Sequence, residues 1–329
     1  MKPVRFLILR FSSIGDIVLT TPVVRALKNQ VEGAEIHYFT KPEYKEILET
    51  NPYIDKIHCL QKNLPVQLKA IKEEKIDYII DLHNNLRTSR IKSNLKIISF
   101  SFNKLNFKKW LLVNFKINKL PDQHLVDRYF ETVNVFDVKK DEKGLDYFIP
   151  VKDEVSLQKL PEDFQQGYIG FVIGAKHNTK KLTKEKIINI IRLLDYPVVL
   201  IGGPEDYQTG EEIVGFTHGN VYNACGKYTI NQSASLIKKA KVIITHDTGM
   251  MHVASAFKKK VISVWGNTVP EFGMYPYLPH EDSVIFENKG LYCRPCSKIG
   301  YKKCPKKHFR CIEDLQDKDI ARKAISILS

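Results

Sequence analysis

Short apolar runs alternate with longer stretches of helical period along the whole chain. Val4–Arg10, Glu35–Phe39, Lys56–Leu60 and Tyr78–Leu82 read as strands in the first half, with helical stretches such as Pro65–Glu74 between them. Tyr168–Ile173, Val198–Ile201, Val242–Thr245 and Val261–Trp265 repeat the alternation in the second half. Uninterrupted apolar strands linked by amphipathic helices are the pattern of a parallel sheet buried on both faces, because each parallel connection needs a crossover. The predicted class is therefore α/β. Thr183–Leu194 puts Ile187, Ile190, Ile191 and Leu194 on one helical face, Ser233–Lys239 is a further helix, and Asp317–Leu328 does the same with Ile320, Ala324, Ile327 and Leu328. Ile17–Lys28 carries Pro22, which lacks an N–H, so the helix bends there or starts afresh. Residues 137–144 are charged and end in Gly144, and the stretch from Pro150 to Gln166 continues in that manner. We place the domain boundary near residue 155, giving units 1–155 and 156–314 and a closing helix over 315–329.

The strand ends carry the candidate chemistry. Val242–Thr268 reads as one βαβ unit, with Asp247, Thr248 and Gly249 at its carboxyl edge. Met250, Val253, Ala254 and Phe257 form the stripe of the following helix. A helix N-terminus there concentrates unpaired N–H groups and positive dipole, which suits a diphosphate. His252 lies within the first turn. The plainer alternative is that Asp247 or Thr248 simply caps the helix. Gly174-Ala175 follows another strand, and Lys176, Lys180 and Lys181 come off the same edge. The next strand ends in Gly202-Gly203-Pro204. In the first half, the turn Phe11–Asp16 has only Gly15 where a dinucleotide fingerprint needs three glycines; it sets Asp16 over a strand end instead. His83, Asn84 and Arg87 end a further strand and can bind sugar hydroxyls or phosphate, or belong to a solvated loop. His124–Arg128 is polar enough to border the same region.

Composition narrows the partners. The 329 residues are 43% hydrophobic and 27% charged, as in soluble globular chains, and carry a net charge of +14. That charge attracts polyanions: nucleic acid, anionic lipid or phosphorylated glycolipid. No zinc-finger, helix-turn-helix or RNA-recognition signature is present, so no specific nucleic acid is expected. No apolar run approaches the roughly 18 residues of a membrane span; the expected compartment is the cytoplasm. Residues 96–119 interleave Phe100, Phe102, Phe107, Trp110 and Phe115 with Lys96, Lys104, Lys108, Lys109, Lys116 and Lys119. Two readings stand: a membrane-surface patch, or a core strand plus an amphipathic helix with a wet lysine face. Cys293, Cys296, Cys304 and Cys311, beside His308, are spaced either for a structural zinc site or as buried thiols in a tight loop. Cys59 and Cys225 read as buried singles. Asp317-Lys318-Asp319 looks like a D-x-D metal motif, but at a helix start the dipole explains it better.

Taken together, Arg10–Asp16 through Thr21-Pro22, Asp77–Arg87, Gly174-Ala175 with Lys180, Leu200–Asp206, and Asp247–His252 through Gly266-Asn267-Thr268 resemble, in order, the motifs of the ADP-heptose:lipopolysaccharide heptosyltransferases, glycosyltransferase family 9. The resemblance implies a GT-B architecture of two Rossmann-like domains facing across a cleft, with the last helix returning to the first domain. It implies an inverting glycosyltransferase that needs no cofactor and takes an ADP-sugar as donor and a phosphorylated glycolipid as acceptor. An anionic membrane surface is a further expected partner, with peripheral placement at the inner face of the inner membrane. It makes Asp16 the catalytic base and gives Lys180 the donor phosphate. Gly174, Ala175, Gly202, Asp247, Thr248, Gly249, Met250 and His252 hold the donor, while Ser13, Gly15, His83, Asn84 and Arg87 border the acceptor. Asp247 is expected to accept from donor sugar hydroxyls or from its own helix start, since facing the phosphates would be repulsive. Two departures lie near the expected nucleotide pocket: Leu182-Thr183 where the family often has Trp-Pro, and Asn267 where it often has Pro. The competing readings are a GT-B enzyme using another nucleotide sugar or a non-lipid acceptor, and a non-catalytic nucleotide- or polyanion-binding protein.

Overall fold

The computed structural model describes residues 3–217 and 219–328 and divides the chain into two compact units. The first comprises residues up to Lys104 together with Gln123–Phe148; the second comprises Leu105–Asp122 and the chain from Ile149 onward. The passage into the second unit thus falls at Ile149, slightly ahead of the expected 155, and the first unit is interrupted by a segment that belongs to the second.

In the first unit, strands β1 (Val4–Leu9), β2 (Ala34–Thr40), β3 (Lys56–Cys59), β4 (Tyr78–Asp81) and β5 (Ile98–Ser101) form an all-parallel sheet in the order β3-β2-β1-β4-β5. Helices α1 (Ile14–Val18), α2 (Thr21–Gln30), α3 (Leu64–Glu73) and α4 (Leu86–Leu95) supply crossovers. The break between α1 and α2 is the fresh start expected at Pro22, which stands in the first turn of α2. Leu7, Leu9, Phe39 and Ile79 of the sheet bury against Leu68 and Ile71 of α3 and Ile91 and Leu95 of α4. Arg25 of α2 is almost wholly buried and clamps the segment that closes the unit. Its guanidinium donates to both oxygens of Asp141, to the Gly144 carbonyl and to Asp146.

Helix α5 (Asn106–Phe115) belongs to the second unit, where Leu112 packs with Val269 and Phe272. The chain then re-enters the first unit through α6 (Leu125–Phe130), capped by the buried His124, whose Nδ1 accepts from the Val126 N–H at 3.1 Å. His124 is therefore spent on a helix cap rather than standing open to a ligand.

The second sheet contains β6 (Ile169–Val172), β7 (Val198–Ile201), β8 (Val221–Asn223), β9 (Val242–His246), β10 (Lys260–Trp265) and β11 (Val284–Glu287), parallel throughout in the order β11-β10-β9-β6-β7-β8. Its helices are α7 (Lys184–Leu194), α8 (Tyr207–Thr217), α9 (Ile230–Lys239), α10 (Gly249–Ala256), α11 (Arg310–Glu313) and α12 (Asp317–Ser326). The last helix was expected on the first unit. It lies on α7 instead, with Ile320, Ala321, Ala324 and Ile327 inside the second core, because that core offers the matching apolar face of α7. Lys186 of α7 fixes the arrangement by pairing with Asp317 at 2.7 Å and donating to the Leu315 carbonyl. Asp317 stands in the first turn of α12, where the helix dipole favours an acid, and Lys186 partners it.

Removing one member of a buried, hydrogen-bonded charge cluster leaves the others uncompensated, at about 3–5 kcal/mol. Arg25→Met should lower the unfolding free energy of the first unit by about that amount, read as a fall in urea midpoint at unchanged slope; a midpoint within error of wild type would show that Asp141 and Asp146 do not depend on the clamp.

Candidate functional site

In each sheet the strand order reverses at one place: between β1 and β4 in the first, and between β6 and β9 in the second. Crossovers leave in opposite directions from such a point, opening a crevice beyond the carboxyl ends of the two strands. The candidate residues gather at these two places.

In the first unit, Arg10 follows β1 and Asp16 sits in α1. Arg10 Nη2 lies 2.6 Å from Asp16 Oδ1, and the Ser13 hydroxyl and N–H donate to Asp16 Oδ2 at 2.8 and 3.2 Å. Arg10 is itself buried, donating to the carbonyls of Ser12 and Leu82 and to the Tyr129 hydroxyl. Burial opposes its charge, but Asp16 and the phenolic oxygens of Tyr129 and Tyr38 outweigh that and hold its pKa above the usual value. Gly15 is buried in the same turn of helix. From β4, Asp81 Oδ1 accepts the N–H groups of His83 and Asn84 at 3.1 and 2.7 Å, and Lys92 pairs with Oδ2 at 2.8 Å. This turns the chain sharply, with Asn84 at φ +48° and its side-chain amide donating to the Phe102 carbonyl. His83 Nδ1 faces the Phe11 N–H at 3.5 Å, and Arg87 lies over the Phe11 ring at 5.6 Å. Ser13, Asp16, His83 and Arg87 thus surround the β1–β4 reversal, whereas the Asn84 side chain shapes the loop. Arg10 and Tyr129 are the residues that sequence reasoning missed as site components. The available signal was an arginine directly closing an apolar strand.

In the second unit three loops meet at the carboxyl edge of the sheet. Lys180, in a short 3-10 turn after β6, places Nζ 2.6 Å from Asp247 Oδ2 and donates to the Asp247 carbonyl at 3.2 Å. The Thr268 hydroxyl, past the end of β10, donates to the same Asp247 oxygen at 2.7 Å. Asp247 therefore holds a lysine and a threonine, not the start of its own helix. Thr248 is the N-cap of α10 with extended backbone, and its side chain makes no cap hydrogen bond. Both versions of the capping alternative are excluded, and the N–H groups of Gly249, Met250 and Met251 keep their donor capacity for a ligand. His252, one turn in, is buried. The loop bearing Lys180 is tied from below: Leu182 N–H donates to Nε2 of buried His246 at 2.9 Å, and Thr179 and Asn267 exchange hydrogen bonds at 3.0 and 3.2 Å. Asn267, one of the two departures from the family pattern, is thus a structural tie. Gly174 and Gly202 serve Asp206: a Cβ on either would run into that side chain, which pairs with Lys181 at 2.6 Å. Lys181 and Gly202 accordingly stand at the β6–β7 side, away from Lys180 and Asp247. Lys176 is exposed.

The cysteine group does converge. Cys293, Cys296, Cys304 and Cys311 line one cavity of ≈ 10 Å³ with His308, whose Nε2 is 3.7 Å from Cys293 Sγ. All six cysteines are free thiols, and among the described residues no group of three or more His, Cys, Asp or Glu side chains is set to hold an ion. Burial pushes the Cys311 thiol up to about 12 and raises Cys296, with the neighbouring thiols adding to both. Cys225 is buried, but Cys59 is only half-buried, because it ends β3 at the sheet edge.

A two-domain chain of parallel sheets with its candidate residues at both reversals is a GT-B architecture. The profile of "Glycosyltransferase family 9 (heptosyltransferase)" matches residues 67–307, and the chain belongs to that family. Asp16 precedes the matched span. Lipopolysaccharide heptosyltransferase 1 of Campylobacter coli is 24% identical over 96% of this chain and 96% of its own. The fold is shared with a family 9 glycosyl transferase from Veillonella parvula (TM-score 0.78, 21% identity, 100% and 98% of the two chains). It is shared also with E. coli ADP-heptose lipopolysaccharide heptosyltransferase II (TM-score 0.76, 19% identity, 100% and 98%).

Burial lowers the pKa of His83 to about 4, with Arg10 and Lys104 adding, and that of His246 to about 3, with Lys181 adding. Unfolding releases both to ordinary values near 6.5. Between those limits the unfolded chain binds more protons, so stability is full above about 6.5 and falls as pH drops, toward 4 for His83 and toward 3 for His246. The urea midpoint should decline over that window, and His83→Asn should make the decline shallower by one proton's worth; an unchanged slope would place the titration elsewhere.

Proposed function

We propose that this chain transfers a heptose or related sugar from an ADP-sugar to a phosphorylated glycolipid acceptor of lipopolysaccharide-core type, by single displacement with inversion and without a divalent ion. The observation that carries the reading is Lys180, pinned beside Asp247 and Thr268 at the uncapped start of α10. That is a cation and a row of N–H donors where a sugar diphosphate needs both. The family's name and the Campylobacter coli relative support heptose as the sugar.

In this scheme Asp16 takes the proton of an acceptor hydroxyl as that oxygen forms a bond to the anomeric carbon. The bond from that carbon to the diphosphate oxygen breaks, and its electron pair leaves with the nucleoside diphosphate. Lys180, the Thr248 hydroxyl and the N–H groups from Gly249 onward take up the charge. Asp16 is aimed by Ser13 and Arg10, both donors to it, and its positioning against the acceptor hydroxyl supplies the drive. Ser13, His83 and Arg87 contact the acceptor, while Gly174, Ala175 and His252 shape the donor pocket. A donor other than an ADP-sugar is the second reading, favoured by Leu182-Thr183 standing where the family often has Trp-Pro.

Asp16→Asn should cut turnover by ~10²–10⁴ while the thermal shift produced by ADP persists. Retention of more than about a tenth of wild-type rate would remove the base assignment, given that range. ADP, UDP and GDP compared in the same shift assay identify the nucleotide, and no response to any of them would favour a non-catalytic protein. Transfer should continue in EDTA with inverted configuration at the new linkage by NMR. Activity lost in EDTA and restored by magnesium would overturn the metal-free scheme.

A further inference from the structure

Helix α5 and the loop over residues 292–307 expose apolar side chains that a solvated surface ordinarily hides. Phe107 is 70% exposed and Phe115 58%, and Trp110 and Ile117 are exposed beside them. The three rings lean on one another, Phe107 to Trp110 at 6.0 Å and Trp110 to Phe115 at 5.2 Å between centroids. Only Leu112 of this helix is fully buried. In the loop, Tyr292 is 71% exposed and Ile299 64%, with Tyr301 also open to solvent. Lys116, just past α5, joins the two segments by donating to the carbonyls of Pro295 and Cys293 at 2.6 and 3.3 Å.

The charge is as one-sided as the apolar exposure. No carboxylate occurs between Asp81 and Asp122, nor between Glu287 and Glu313. Lys108 and Lys119 are exposed in the first segment, and Lys298, Lys302, Lys303, Lys306 and Lys307 in the second. Aromatic rings amid uncompensated lysines repel a basic partner and gain nothing from a neutral one. They match a boundary where anionic headgroups meet hydrocarbon, into which aromatic side chains insert by several ångströms. A second copy of this chain would bring seven like charges against seven. We propose that α5 and the 292–307 loop form a peripheral docking surface for an anionic lipid bilayer. Among the described residues no helix is long and apolar enough to cross a membrane, so attachment through this face is reversible. The surface stands independently of the glycosyl-transfer reading.

The test is sedimentation of the full chain with vesicles of 30% phosphatidylglycerol in phosphatidylcholine against pure phosphatidylcholine. Binding should favour the anionic vesicles and weaken as salt is raised from about 0.05 to 0.5 M, since screening shortens the reach of exposed charges. Trp265 is buried, so a blue shift in emission on binding reports Trp110. Removing one lysine near an anionic surface costs about fivefold. The double variant Lys302→Glu/Lys303→Glu should therefore bind at least about 25-fold more weakly, and Phe107→Ser should lose the blue shift. Both sites are exposed, and an unchanged ADP thermal shift confirms that the variants fold. No binding to anionic vesicles at low salt, or binding with unmoved Trp110 emission, overturns the proposal. So does self-association by light scattering that Phe107→Ser abolishes, which would assign the face to a second copy.

Discussion

Each unit depends on one topological constraint: its sheet begins in the middle. Because β1 and β6 are first in sequence yet central in space, later strands must be added on both sides of them. At one boundary per sheet the loops consequently diverge. A backbone that diverges exposes strand-end carbonyls and helix-start N–H groups which no neighbouring loop covers, and polar side chains settle there. Arg10, Asp16 and His83 on one unit, and Lys180, Asp247 and Thr248 on the other, occupy these gaps because the winding leaves them open. The remaining strands serve to bury β1 and β6 deeply enough that charged groups at their ends are held by protein rather than water.

Those charged groups are arranged as pairs, and pairing bears on geometry more than on stability. Desolvation offsets much of what Arg10 gains from Asp16 or Lys180 from Asp247. What the pairs do supply is direction: Asp16 is fixed by a guanidinium on one oxygen and a serine on the other, and Lys180 is held by one carboxylate oxygen of Asp247 and by its main-chain carbonyl. Buried histidines work beside them as neutral struts. His246 accepts a backbone N–H at the root of the Lys180 loop, and its low pKa keeps it in the accepting form at ordinary pH.

Much of this was legible along the chain. The seven interior strands and the edge strand β3 announce themselves as apolar runs, and Pro22 announces the restart between α1 and α2. The strands that escaped, β5, β8 and β11, lie away from the sheet centres and are short, so they lack the continuous apolar stretch that double-sided burial demands. Of the site, Asp16, Lys180 and the helix start at Gly249 follow from their positions at strand ends. The partner of Asp247 does not: a carboxylate before a helix can cap it or turn sideways, and only the approach of Thr268 and Lys180 decides. Arg10 was equally hidden, since its burial depends on Leu82 and Tyr129, which reach it from other elements. The stripe of α12 states that the helix is covered without stating by what; its return to the first unit was an implication of the family resemblance, and its apolar face lies in the second core.

The chain passes between the units three times, at Lys104–Leu105, Asp122–Gln123 and Phe148–Ile149. Cutting at the last of these would not yield an autonomous second half. A fragment starting at Ile149 would lack α5, leaving Val269 and Phe272 without Leu112 and the loop carbonyls at 293 and 295 without Lys116. Separating the halves for study calls for a rearranged reading frame, in which residues 105–122 are transplanted onto the later sequence and a short bridge joins Lys104 to Gln123.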